Sequence, residues 1–192
     1  VIWLVRHAQP LIAPGVCYGA LDVPADADAT QQAAHGLAQR LPPGARVRAS
    51  PLLRCQQLAQ ALRVLRPDLR FDTDARLREM NFGAWEGQRW DALSPEAFDA
   101  WTNNFWQHRV GGGECVADFM GRVGEVWDAA MAVSMAEVPQ VWLTHAGVIR
   151  AARLIALGQR EVRAAGDWPA ATPGFGQAWR YQESSGWLED AS

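Results

Sequence analysis

Lysine is absent from this 192-residue chain, so all 18 basic residues are arginine. That absence reads as a compositional bias, and each arginine has to be judged by its position and not by its type. Cysteine is scarce at three, an odd number without metal-ligand spacing. This fits reduced thiols in a cytosol better than a disulfide framework. No apolar run approaches the ~20 residues of a membrane span, and no signal-peptide pattern stands before the first strand, so a cytoplasmic protein without a membrane partner is expected. Strong charge of either sign is lacking too: the net charge is −3, which argues against nucleic acid as a partner. Internal repeats and low-complexity segments are also missing.

What is present is an ordinary globular composition, 49% apolar and 20% charged. One domain spanning 1–192 is expected, large enough to bury roughly 70% of its unfolded surface. Residues 1–5 form a continuous apolar run, the mark of a strand buried on both faces of a parallel sheet. The pattern predicts a helix over 30–41 that stops at Pro42-Pro43-Gly44, and a short strand over 45–49. A second helix follows, with Ser50 as its N-cap and Pro51 in its first position. Leu58, Leu62 and Leu65 give it an apolar stripe. Another short strand is placed at 70–72. Residues 85–109 are aromatic-rich, with a helix start at Ser94-Pro95, and Gly111-Gly112-Gly113 reads as a hinge or linker. A long amphipathic helix follows from Val116, then a buried strand over 141–144, a helix from Ala146, and a closing strand over 177–181 with a small hairpin through Trp187. Alternating strands and helices mean an α/β fold, a three-layer α/β/α sandwich on a mostly parallel sheet.

Charge sits against local preference in three places. Arg6-His7 ends the first strand and His145 ends the 141–144 strand. If those strands are parallel neighbours, both histidines open into one crevice at the carboxyl edge of the sheet, where ligands bind in such folds. Arg54 stands in the first turn of its helix, where the macrodipole disfavours a cation and a bound anion would remove the conflict. Two arginines, two histidines and a helix N-terminus converge on something negative, and a phosphate matches guanidinium forks best. Taken singly, each feature is more often a structural hydrogen bonder or a solvated side chain; it is their joint arrangement that points to a site.

The stretches LVRHAQP, SPLLRC, LREMNFGAWEG and THAGVIRA stand in an order and spacing that resembles the histidine phosphatase (phosphoglycerate mutase-like) superfamily over nearly the whole chain. CYGALDVP and AWTNNFWQHRVGGGECVADFMGRV are most similar to its α-ribazole phosphatase branch, which acts late in cobalamin synthesis. One departure is Ala8, where a glycine usually follows the Arg-His pair. The resemblance implies a metal-independent phosphomonoesterase with no cofactor, acting on a small-molecule phosphomonoester through a phosphohistidine intermediate. His7 would be the nucleophile, and Arg6, Arg54 and His145 would hold the phosphoryl oxygens. Glu79 would donate a proton to the leaving alkoxide, a task that needs it protonated beside the phosphate dianion. Gln9, Tyr18 and Gly19 are the implied substrate contacts, and 85–113 the implied helical cap. A homodimer is left open.

Other chemistries fit less well. Asp26-x-Asp28-x-Thr30 matches the aspartyl phosphatase pattern, but no buried strand precedes it, and a cap for the following helix is the simpler reading. A cysteine phosphatase needs arginine six residues after its cysteine, whereas Val23, Ala61 and Gly121 stand there. The tryptophans of 85–110 fit an aromatic surface for a flat ring or plain packing equally well. A mutase or a broad-specificity phosphatase built from the same pocket stays open. The span from Glu79 to His145 looks short for the closed lid a mutase needs, which favours hydrolysis.

Overall fold

Ile2, Trp3, Leu4 and Val5 are all buried in the computed structural model of the protein, which describes residues 1–134, 138–182 and 184–189. They belong to β1 (Ile2–Arg6), which lies inside the sheet with neighbours on both sides. The other strands are β2 (Arg46–Ala49), β3 (Arg70–Thr73), β4 (Gln140–Thr144), β5 (Ala178–Gln182) and β6 (Gly186–Glu189), in the order β3-β2-β4-β1-β5-β6. β1, β2, β3 and β4 pair in parallel, while β5 runs antiparallel to β1 and to β6.

Successive residues of β1 feed two separate cores, as the two-residue period of a strand requires. Trp3 and Val5 pack with α1 (Ala27–Arg40) and α2 (Leu53–Leu65), through Leu37, Leu58 and Leu62. Ile2 and Leu4 pack on the opposite face with α4 (Val116–Ser134) and α5 (Ala146–Ala156), through Phe119, Val123 and Ile149. This is the expected three-layer α/β/α sandwich. Each fully buried side chain of this size contributes roughly 1.5–3 kcal/mol, so the strand that ends in Arg6 and His7 is anchored from both sides. Among the described residues no helix is long and apolar enough to cross a membrane.

Three local expectations change. The helix predicted from Ser50 begins at Leu53, with Leu52 at its N-cap and no side-chain cap. Ser50 instead continues the β2–β4 ladder, its N–H bonded to Leu143 O at 2.9 Å, and its hydroxyl is taken by His145. The helix predicted over 30–41 starts earlier because Asp26 caps it, accepting from Ala29 N at 2.8 Å. Gly111-Gly112-Gly113 is no linker but a site of close approach. A Cβ at Gly111 would lie 2.3 Å from Phe82 O, and one at Gly113 would lie 2.4 Å from Asn81 O. Gly111 also has φ +56°, a left-handed conformation that glycine adopts without strain. The segment carrying Glu79 therefore leads directly into backbone-on-backbone packing.

Candidate active site

Arg6 pairs with Thr144 in the β1–β4 register, so His7 and His145, each one residue further on, meet at the carboxyl edge of the sheet. Their ring centroids are 5.2 Å apart. His7 Nδ1 lies 2.7 Å from Ala8 O, and a carbonyl only accepts, so Nδ1 carries the hydrogen and Nε2 keeps its lone pair. Burial and the nearby Arg54 and Arg6 cations push the imidazole down to about 3, with the Ala8 bond opposing. His7 is thus neutral at physiological pH, the form a nucleophile needs. Ala8, standing where a glycine was expected, is itself buried.

Arg54 is fully buried, and three of its donors are committed. Nη2 donates to Gly19 O at 2.7 Å, Nη1 to Leu21 O at 2.9 Å, and Nε to His145 Nδ1 at 3.3 Å. Among the described residues two of its five N–H bonds have no partner and remain for a ligand. Because His145 Nδ1 accepts from Arg54, its Nε2 bears the hydrogen and donates to Ser50 Oγ at 2.8 Å. Burial first, then the surrounding cations, hold His145 well below its usual value, so it too is neutral. The dipole conflict at the start of α2 is eased in part by Asp22, whose carboxylate accepts from Leu53 N at 2.6 Å.

Arg6 is half-buried. It donates through Nη1 to Pro173 O at 3.2 Å, while its Nε is buried with no partner among the described residues. A buried donor in need of an acceptor, set beside a neutral imidazole, suits an anion. Burial lowers the guanidinium's pKa, and Tyr18 and Glu79 act against that.

Glu79 reaches the same edge from a loop. Its Oε2 accepts from Gly147 N at 2.9 Å, in the first turn of α5, and its Oε1 accepts from Met80 N at 3.0 Å. A Cβ at Gly147 would sit 2.2 Å from Glu79 Oε1, so the carboxylate lies where only glycine leaves room. The loop is clamped by Arg122, which donates to the carbonyls of Arg76 (2.6 Å), Arg78 (2.7 Å) and Glu79 (3.1 Å). Glu114 holds that guanidinium from the other side at 2.7 and 2.9 Å.

Beside this cluster lies a cavity of about 390 Å³, whose wall includes Tyr18, Glu79 and Gly147. Phe82, Trp101, Phe105, Phe119, Trp168 and Arg150 complete most of it. Trp101 and Phe105 stack at 5.6 Å between centroids. Trp101, from α3 (Pro95–Asn103), and Trp106 both pack against the core, and of the two only Trp101 is among the residues lining the cavity. Of the three implied substrate contacts, Tyr18 stands in this wall. Gly19 presents its carbonyl to Arg54, and a Cβ there would lie 1.8 Å from Met80 O. Gln9 is exposed and lines a different cavity, of about 480 Å³, beside α1. The cysteines are buried, and burial pushes the Cys17 and Cys55 thiols up to about 12, which leaves them poor nucleophiles.

Sequence reading missed Arg122, Arg150 and Glu86. The Glu86 carboxylate accepts from the N–H groups of Ala20, Leu21 and Phe82, and so ties the Tyr18–Gly19 turn to the Glu79 loop. Its place in the GAWEG stretch was the only available signal.

The family model described as histidine phosphatase superfamily (branch 1) matches residues 2–170. TTHB049 from Thermus thermophilus is similar in structure with a TM-score of 0.70 and 29% identity, over 97% of this chain and 96% of that one. A phosphoglycerate mutase from the same organism matches with a TM-score of 0.70 and 30% identity, over 97% and 95%. The mycobacterial glucosyl-3-phosphoglycerate phosphatase Rv2419c matches with a TM-score of 0.75 and 25% identity, over 98% and 96%. Among curated proteins none matches the chain. With a neutral histidine near two arginine cations at the sheet edge, and a family model matching most of its length, the chain belongs to the histidine phosphatase superfamily.

Proposed function

We propose that the protein is a metal-independent phosphomonoesterase that works through a phosphohistidine on His7. The observation that carries this is the fixed tautomer of a neutral His7, with Nδ1–H held by Ala8 O and the Nε2 lone pair free. Nε2 attacks phosphorus, the ester P–O bond breaks, and protonated Glu79 delivers its proton to the leaving oxygen. Glu79, now a carboxylate, takes a proton from the water that attacks the phosphohistidine, and inorganic phosphate leaves with Nε2 restored. Arg6 and the two uncommitted N–H groups of Arg54 carry the phosphoryl charge. His145 acts mainly by orienting Arg54, since both of its ring nitrogens are already bonded within the protein.

The substrate we propose is α-ribazole 5′-phosphate, a nucleotide-like phosphomonoester with a flat base. The leaving group would occupy the aromatic cavity, whose volume of about 390 Å³ is of the size small ligands use. Trp101 and Phe105 come from the 85–113 segment, which then serves as a cap over the base. Stacking of a base on aromatic side chains is worth roughly 1–3 kcal/mol, about tenfold to a hundredfold in preference. The test is a panel of phosphomonoesters with the purified protein. Higher kcat/KM for α-ribazole 5′-phosphate than for 3-phosphoglycerate supports the reading. A preference for phosphoglycerates, or transfer of the phosphoryl group to them in place of water, favours the mutase alternative.

A further inference from the structure

Arg6 has to present its donors to a phosphate, yet a long arginine side chain loses rotamer freedom when fixed. A carboxylate would hold it, but would also occupy its in-plane N–H groups and repel the substrate's charge. The structure uses an aromatic face instead. Arg6 Cζ lies 3.8 Å from the centroid of Phe175, and the His7 ring lies 5.6 Å from the same ring. A guanidinium stacked by its face keeps its edge free for in-plane hydrogen bonds, and Arg6 Nε has no partner among the described residues.

The loop that carries Phe175 is built to stay in place. Gly176 N donates to both Arg6 O (3.1 Å) and His7 O (3.0 Å), and Arg6 N donates to Gln177 O at 3.0 Å. Arg6 Nη1 returns to the same loop at Pro173 O. Gly176 has φ +74°, and a Cβ there would lie 2.8 Å from Ala33 Cβ, so only glycine completes the turn against α1. The loop lies beyond the 2–170 stretch matched by the family model.

We propose that Phe175 is a positioning residue, whose ring holds the Arg6 guanidinium beside His7 so that the phosphate site is assembled before substrate arrives. This rests on the proposed function for the identity of the anion. The test compares Phe175→Leu, which keeps apolar volume but loses the π face, with Phe175→Tyr in the full chain. Binding of inorganic phosphate is measured by calorimetry and inhibition of p-nitrophenyl phosphate hydrolysis by orthovanadate. Phe175→Leu should weaken both by about tenfold, in the range of a partly desolvated cation–π contact, with the melting temperature near that of the wild type. Phe175→Tyr should restore both. In an Arg6→Gln background the leucine substitution should have little further effect, because the contact it removes is already gone. Equal phosphate affinity in wild type and Phe175→Leu, or an undiminished loss in the Arg6→Gln background, overturns the proposal. Phosphate binding is read without turnover, so a wild type that binds phosphate yet hydrolyses no ester refutes the proposed function alone.

Discussion

Replacing Gly147 by alanine places a Cβ 2.2 Å from Oε1 of Glu79. To regain an ordinary contact of 3.4 Å the carboxylate must retreat by about 1.2 Å, which also strains or breaks its bond from Gly147 N. The side chain is flexible and its far end is the part displaced, so the fold need not yield. Alanine is favoured over glycine in a helix by roughly 0.8–1.0 kcal/mol, which offsets much of a lost hydrogen bond worth about 1–2 kcal/mol. The melting temperature should therefore move by no more than about 5 °C for a chain of this size. Catalysis should not be spared, because a displacement of about 1 Å from productive geometry costs on the order of a hundredfold. The loss should appear where a proton is needed. kcat/KM for an alkyl phosphate should fall about a hundredfold, and for p-nitrophenyl phosphate, whose leaving group needs little protonation, less than about tenfold. Unchanged turnover of the alkyl ester, or equal loss on both esters, would refute Glu79 as the acid.

Arg122→Met should destabilise the fold by roughly 3 kcal/mol in chemical denaturation, because it strands the mostly buried Glu114 and frees the Glu79 loop. Its effect on alkyl esters should exceed that on p-nitrophenyl phosphate. Acid should weaken the fold through His7. The unfolded histidine takes up a proton below about pH 6.5 and the folded one only near 3, so stability rises with pH across that window. The slope from this one residue is about 1.4 kcal/mol per pH unit, and His7→Asn should remove it in denaturation curves taken between pH 4 and 6. The same shift means that His7 does not set an acid limb of kcat/KM near pH 6.5 in the free enzyme. EDTA should leave hydrolysis unchanged. Loss of activity with recovery on adding Mg²⁺ would instead require carboxylate ligands such as Asp26, which here caps α1.

The core of the sheet was legible because β1 and β4 are largely apolar runs buried on both faces, as central strands covered by helices on either side must be. Their shared register brings His7 to His145, so residues 138 positions apart in the chain could be placed together from strand ends alone. Arg54 was visible through its conflict with the helix dipole. Arg122 and Arg150 showed no such conflict, and only their places in the AWTNNFWQHRVGGGECVADFMGRV and THAGVIRA stretches marked them, since in a chain without lysine a helical arginine says little until its partners are known. Ser50-Pro51 has the local chemistry of a cap, but Ser50 is held in the sheet by Leu143 O ahead of the helix start at Leu53, and its hydroxyl accepts from His145 as well as from Leu52 N. The triple glycine was misread for a related reason: only the folded backbone shows Phe82 and Asn81 pressed against it. Phe175 lies in a Gly-Pro-rich loop, where nothing local separates a platform for Arg6 from a surface aromatic.

His7 Nε2 is the centre of the chemistry, and the most direct measurement is rapid quenching with a ³²P-labelled phosphomonoester followed by mapping of the labelled residue. The expected result is an alkali-stable, acid-labile phosphoryl group on His7, attached at Nε2 because Nδ1 is held by Ala8 O, and no label in His7→Ala. Phosphate on His145, on a serine or carboxylate, or on His7 Nδ1 would contradict it, as would near-normal turnover by His7→Ala.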